Sequence, residues 1–298
     1  MKNITDEVKK RAIFYFFVFS VLMIAGNAYK GICNPRNNSS ITECVEKIEN
    51  IDLEKRIVLP DIINNEPGCG FTCTGLTYDS VTDTFWIGNY GKRDPSDKTK
   101  RPSIINLSKD FSSVIKEIYV KCDKSTNIQG VSYDSGNDTL WYTDTKKIIN
   151  IDKEGHELTS FKLGKYQKYI PNGIAYDAES DSIFVLCYYN YLLQFSKKGE
   201  IKNVYICGYY DQDQLCLMEN GTICFTAGAD YNGNDNFLCV LGRDNQTIEK
   251  VLRLEGSYAV EGVYVCGEKL YVANDGLFHS DKINRNYISV YDLEYYKQ

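Results

Sequence analysis

The sequence predicts an all-β chain folded as a single β-propeller of four-stranded blades, five in number, closed by a strand from near the N-terminus. Three observations predict it. A unit of 40-odd residues recurs along the chain, short apolar runs alternate with Asp/Asn/Ser/Gly turns, and no stretch beyond the N-terminus has helical periodicity. A sixth blade is reached only if the leader from Tyr29 to Glu54 contributes further strands.

The repeat opens with a polar residue, a small residue and then alternating apolar positions. Its copies are Thr74-Gly75-Leu76-Thr77-Tyr78-Asp79, Gln129-Gly130-Val131-Ser132-Tyr133-Asp134, Asn172-Gly173-Ile174-Ala175-Tyr176-Asp177, a degenerate Gln214-Leu215-Cys216-Leu217-Met218, and Glu261-Gly262-Val263-Tyr264-Val265. With the second residue of each copy as the mark, the steps are 55, 43, 42 and 47 residues, the length of a four-stranded blade. A turn such as Asp134-Ser135-Gly136-Asn137-Asp138 follows each opening, because these residues tolerate tight hairpin geometry. Second strands follow, among them Phe85-Trp86-Ile87, Leu140-Trp141-Tyr142 and Ile183-Phe184-Val185, with Trp86 and Trp141 at equivalent packing positions. Residues 92–102, rich in Lys, Arg, Asp and Pro, account for the long first step as an inserted loop.

The last copy has room for three strands, ending at Tyr287-Ile288-Ser289-Val290-Tyr291. The isolated run Lys55-Arg56-Ile57-Val58-Leu59 supplies the missing fourth and staples the chain ends together. The chain therefore divides into residues 1–28, residues 29–54 as a Cys-containing leader, and the propeller proper at 55–298.

Residues 1–28 read as a targeting segment. Lys9-Lys10-Arg11 precede the apolar run Ala12 to Ala25, and Gly26-Asn27-Ala28 supplies small residues for cleavage, so this is a signal peptide or an uncleaved membrane anchor. Either places the rest of the chain outside the cytoplasm, secreted or anchored, with membrane contact only through that segment. Cys187, Cys216, Cys224, Cys239 and Cys266 fall in apolar runs, where a free thiol packs as a small hydrophobe; Cys33, Cys44, Cys69 and Cys73 lie in loop-like sequence where they can pair. Net charge is −6 and no long basic run occurs, which argues against nucleic acid as a partner. The 24 tyrosines suit both strands and an amphipathic binding surface.

In a blade the residue before the first strand and the residues after the second emerge on one face. The first set is Thr74, Gln129, Asn172, Gln214 and Glu261, in which Glu261 is the single carboxylate; the second includes Asn89, Asp144, Tyr188-Tyr189-Asn190, Asp230 and Asn274-Asp275, with His279 just beyond. Oxygen donors converging on a narrow axis suit Ca²⁺ or a polar ligand, and otherwise they satisfy strand-end backbone groups. His156 reads as a surface residue, which leaves His279 as the imidazole able to act as a base. No Gly-x-Ser-x-Gly elbow is present, and Gly68-Cys69-Gly70 lacks the context of a phosphate loop.

The units Pro171-Asn172-Gly173-Ile174-Ala175-Tyr176-Asp177 and Glu261-Gly262-Val263 resemble blade openings of the senescence-marker-protein/gluconolactonase-like propellers, a broad group that includes NHL-repeat and strictosidine-synthase-like proteins. In those enzymes a Glu before Gly and the Asn of Pro-Asn-Gly bind a divalent cation that polarises a lactone carbonyl, so the resemblance assigns Asn172 and Glu261 as metal ligands. Their further Asp before Gly, ligand and base, has Gln214-Leu215 at the nearest position here, and Asp144, Asp275 or His279 would stand in for it. Three functions follow: a propeller that binds a small molecule, glycan, peptide or cell-envelope partner on a Tyr-rich face lined by Thr74, Gln129, Gln214, Asp144, Tyr188 and Asn274; a Ca²⁺-assisted lactone or ester hydrolase with Asp275 or His279 as base; and a structural propeller whose axial site only holds the ring together.

Overall fold

The computed structural model describes residues 48–64, 71–91, 102–120, 127–188, 191–207, 212–228, 230–233 and 235–293. Residues 1–28, expected to be a targeting segment, most of the leader, most of the 92–102 loop, Tyr189-Asn190 and Cys33, Cys44 and Cys69 lie outside them.

Five antiparallel blades stand around one axis. Two strands, β1 (Ile48–Ile51) and β2 (Leu53–Val58), precede the first blade. That blade is β3 (Cys73–Asp79), β4 (Thr84–Asn89), β5 (Ser103–Ser108) and β6 (Val114–Tyr119); the second is β7 (Ile128–Asp134), β8 (Thr139–Asp144), β9 (Lys147–Ile151) and β10 (Glu157–Lys162). The third is β11 (Pro171–Asp177), β12 (Ser182–Cys187), β13 (Tyr191–Ser196) and β14 (Ile201–Ile206), and the fourth is β15 (Gln212–Leu217), β16 (Ile223–Ala227), β17 (Phe237–Leu241) and β18 (Ile248–Leu254). The fifth holds β19 (Val260–Cys266), β20 (Lys269–Asp275) and β21 (Asn286–Asp292), with the one-turn helix α1 (Gly276–His279) between the last two. Inner strands are buried along nearly their whole length, whereas outer strands such as β10 and β14 hold no buried residue and face water.

Closure follows the expected route. Strand β2 adds antiparallel to β21, pairing Ile57 with Ile288 and Val58 with Tyr287, and Leu59 N–H continues the ladder onto Asn286 O at 3.0 Å. Arg56 Nη2 donates to Gly256 O at 2.9 Å, and its guanidinium lies over the Tyr287 ring. One strand was not expected: β1, from the stretch read as leader, runs parallel to β18 and makes the fourth blade five-stranded. Its anchor is Ile51, buried against Leu252 and Leu254. The N-terminal segment thus covers two adjacent sheet edges.

A recurring polar pin joins neighbouring blades at the far end of the first strands. Asp79 accepts from Trp86 Nε1 and pairs with Lys153 Nζ at 2.7 Å; that ammonium also meets Asp138 and lies over the Tyr133 ring. One blade on, Asp134 accepts from Trp141 Nε1 at 3.1 Å and pairs with Lys197 Nζ at 2.8 Å, which also meets Asp181 at 2.7 Å and covers Tyr176. Asp83, Asp138 and Asp181 hold the left-handed hairpin positions, at φ of 55°, 56° and 45°, that short polar side chains tolerate.

The seven described cysteines carry no disulfide. Cys187, Cys224 and Cys239 are buried strand residues, as expected, and burial raises each thiol's pKa; for Cys224 a hydrogen bond with Cys216 raises it further. Cys73 departs from expectation: it opens β3, fully buried and unbridged, because the first strand starts earlier than its loop-like flank suggested.

Deleting residues 48–58 exposes the edges of β18 and β21 together. The expected outcome is aggregation or a melting temperature lower by about 10 °C or more, read by size-exclusion chromatography and calorimetry. A monomeric product with unchanged melting would refute closure by this segment.

Candidate functional site

Each first strand enters the ring through a register irregularity just before its regular pairing begins. The regular pairs that follow are Leu76–Ile87, Val131–Tyr142, Ile174–Val185, Leu215–Phe225 and Val263–Val272. A bulge re-aims the side chain beside it, here toward the axis. With Leu215 equivalent to Leu76, Val131, Ile174 and Val263, the fourth copy shifts by one residue from the sequence reading. Gln214 takes the place of Gly75, Gly130, Gly173 and Gly262, and the residue before it, Asp213, joins Thr74, Gln129, Asn172 and Glu261 at the channel mouth. The mouth therefore carries two carboxylates, and Glu261 is not alone in its register.

The glycines are required by close approach. A Cβ at Gly75 would lie 2.5 Å from Val131 N, and one at Gly173 would lie 2.6 Å from Leu215 N. Gln214, in the same register, turns its side chain into the channel: Nε2 donates to the backbone oxygen of Gln129, two blades away, at 2.7 Å and to Asp213 Oδ1 at 3.2 Å.

Asp213 Oδ1 also accepts from Asn172 Nδ2 at 2.5 Å, while Glu261 Oε1 lies 3.2 Å from His279 Nε2. The imidazole stacks on Tyr231, with centroids 4.2 Å apart and planes 11° from parallel. Its carrier helix α1 is capped by Asp275, whose Oδ1 accepts from Phe278 N–H. The structure thus brings together Asn172, Gln214, Glu261 and His279 from the predicted set, and adds Asp213 and Tyr231.

The remaining predicted residues have backbone duties. Thr74 Oγ1 donates to Gln129 O, Asp144 Oδ1 accepts from the amides of Lys146 and Lys147 at 2.6 Å each, and Asn274 Nδ2 donates to Val272 O at 3.0 Å. Asp275 Oδ1 is engaged in the helix cap, whereas His279 Nε2 reaches Glu261 directly, which makes His279 the base candidate of the two. Tyr188 follows the end of β12 as an exposed residue on the same side of the ring.

Two acids forced together out of water resist ionising. Burial holds Asp213 well above the usual carboxylate range, the Glu261 charge raises it further, and the Asn172 and Gln214 amides offset part of this. Burial also lifts Glu261, to about 8, while its hydrogen bond from Asp213 pulls the other way. Both carboxyls accordingly favour their protonated forms, and the two titrate as a pair. Asn172 Oδ1 is buried and accepts no hydrogen bond among the described residues. No cluster of three His, Cys, Asp or Glu side chains with metal-holding geometry occurs among them, so a cation here would need that amide oxygen as its third donor. The donor chemistry fits a hard cation: two carboxylates and one unsatisfied amide oxygen, with no sulfur.

No family model matches the sequence, and no curated protein matches it. Among solved structures, a protein of unknown function from Bacteroides caccae aligns at a TM-score of 0.50 and 11% identity, over 76% of this chain and 80% of that one. A luciferin-regenerating enzyme aligns at 0.51 and 10% identity, over 80% and 95% respectively. At these identities the likeness establishes the propeller fold and nothing finer.

Because Glu261 rises from an ordinary 4.5 to about 8, the folded state binds its proton more tightly than the unfolded state. That contribution to stability is complete below the unfolded value and is lost as pH climbs toward 8. In EDTA, the melting temperature should fall between pH 5 and pH 8, and Glu261→Gln should flatten the fall. Identical profiles for the two proteins would show that Glu261 is not held protonated.

Proposed function

We propose that the channel mouth binds Ca²⁺ through Asn172, Asp213 and Glu261, and that the protein uses this site to hydrolyse a small ester or lactone outside the cytoplasm. The observation that carries the reading is the convergence of Asp213 and Glu261 at the channel mouth with the buried, unsatisfied amide oxygen of Asn172. Such a group is costly by itself and is relieved by one divalent cation. Bound there, calcium would supply Lewis-acid polarisation of the substrate carbonyl. His279 takes the proton of the attacking water; Tyr231 stacking and helix α1 fix its ring plane beside Glu261. Gln214 and Asn172 orient Asp213 by donating to the same oxygen. The aspartate before the axial position, ligand and base in the gluconolactonase-like enzymes, has its counterpart in Asp213.

A non-catalytic binding role has one observation in its favour. Tyr166 and Tyr169, just ahead of Pro171 and Asn172, cluster with Tyr191 at the start of β13 with centroids 4.3 to 6.3 Å apart, and such a shelf suits a glycan ring or peptide side chain.

Ca²⁺ should raise the wild-type melting temperature as its concentration passes the dissociation constant. Asp213→Asn and Glu261→Gln should each abolish that rise, and Asn172→Ala should weaken it. His279→Ala should keep the rise yet lose about 10²-fold or more in turnover on a panel of small esters and lactones. No response to calcium in the wild type would end the cation reading; full turnover in His279→Ala would end its role as base. A calcium response with no hydrolysis of any panel member would favour the binding module.

A further inference from the structure

Below the acidic mouth the axial channel widens into a cavity of about 380 Å³ that opens at the opposite end of the ring. Its upper wall is Leu76, Val131, Ile174 and Leu215, the first regularly paired residues of four first strands. Gln214, buried and bonded across the axis to Gln129, lies between this cavity and the carboxylates. The two ends of the channel are therefore separate compartments.

The lower rim is where the inter-blade pin recurs, and there the repeat breaks. Asp79 and Asp134 each hold a lysine ammonium, which also meets an aspartate and covers a tyrosine ring of the next blade. Asp177 is the same position in the third blade, but the fourth blade supplies none of the partners. Leu217 stands where Tyr133 and Tyr176 stand, and Gly221, at φ 79°, replaces Asp138 and Asp181. Arg243 replaces Lys153 and Lys197 and is exposed, with no ion pair to Asp177. Asp177 accepts only from Glu179 N–H, at 3.1 Å, and from the Ser180 hydroxyl among the described residues. Asp177, Glu179 and Glu219 all line the cavity, with Leu217 and Met218 beside them.

We propose that this cavity is a second binding site, for a primary amine with an apolar body. The ammonium takes the place on Asp177 that a lysine fills on Asp79 and Asp134. Glu179 and Glu219 add negative potential at the rim, and the apolar body lies along Leu217, Met218 and the upper wall. The molecule itself twice shows how it binds an alkylammonium at this register, and the third copy is left open onto a cavity. A charge-assisted bond to a carboxylate gives orientation, and burial of the apolar body gives most of the affinity. The inference does not depend on the calcium reading, since Gln214 separates the two sites.

The test uses n-hexylamine as probe and n-hexanol as its uncharged counterpart, by titration calorimetry and thermal shift at neutral pH. Hexylamine should bind one-to-one and raise the melting temperature, at least about tenfold more tightly than hexanol. Asp177→Asn should remove that preference and leave the melting temperature of the free protein unchanged. Rebuilding the pin with Leu217→Tyr, Gly221→Asp and Arg243→Lys together should abolish binding, because the chain then fills the site with its own lysine. Glu261→Gln should leave amine binding unaltered, and a loss there would overturn the proposal by locating the amine at the other end of the channel. Equal binding of amine and alcohol, an unchanged preference in Asp177→Asn, or no binding at about 10 mM amine would each overturn it as well.

Discussion

Everything in this ring depends on how closely five first strands approach one another at the axis. Each touches the first strand of both neighbours, and at the tightest level the backbone of one lies where a Cβ of the next would be. Glycine at four of the five positions is therefore a steric requirement, and the register irregularity beside it is the local bend that lets the strand turn in. One residue earlier, the same convergence crowds five polar side chains into a mouth too narrow for each to keep its own water. Packing at the axis and chemistry at the mouth are two results of one geometric constraint.

Crowding explains the electrostatics without any special arrangement of charge. Asp213 and Glu261 come from adjacent blades, and each would be an ordinary carboxylate on a surface. Brought together and half-buried, both resist ionising, and two amides and one imidazole surround them. The amide of Asn172 illustrates the economy of the site: its nitrogen is committed to Asp213 while its oxygen is left over. A cation bound as proposed would engage that oxygen together with the two carboxyls, whose shifts burial chiefly produces.

Much of this was legible in the sequence, and what was not has identifiable causes. The copies marked by glycine at 75, 130, 173 and 262, with the degenerate fourth, carry the blade count, because the steric requirement at the axis writes itself into the chain, and the three-strand last copy with the run Lys55–Leu59 carries the closure. The fourth copy was misplaced by one residue because glycine served as the mark and this copy has none. Aligning on the following apolar position, Leu215 with Leu76, Val131, Ile174 and Val263, puts Asp213 in the ring and makes the steps 41 and 48 rather than 42 and 47. Asp144 and Asn274 looked like site residues because strand ends at this face are polar, yet the turn amides of Lys146 and Lys147 and the backbone oxygen of Val272 claim them. Strand β1 offered a single buried residue, Ile51, too little pattern to read. The stacking of Tyr231 on His279 joins residues 48 positions apart in sequence and has no local signal.

The departures from the repeat are not scattered. Gln214 in place of glycine, Asp213 and Glu261 as the carboxylates of the mouth, and Leu217, Gly221 and Arg243 in place of the lysine pin all fall in the fourth and fifth blades. A perfectly repeated ring would set five identical groups around the axis, and five carboxylates there would repel one another while five threonines would hold nothing. A site that binds one ligand in one orientation needs unlike groups at equivalent positions. The first three blades keep the two lysine pins and the axial glycines, the first two add the tryptophan–aspartate contacts, and together they hold the ring's geometry. That frame lets the other two blades carry polar groups at the mouth and drop the pin at the opposite end, because a closed ring constrains each blade from both sides and the lost contacts are not needed to position it.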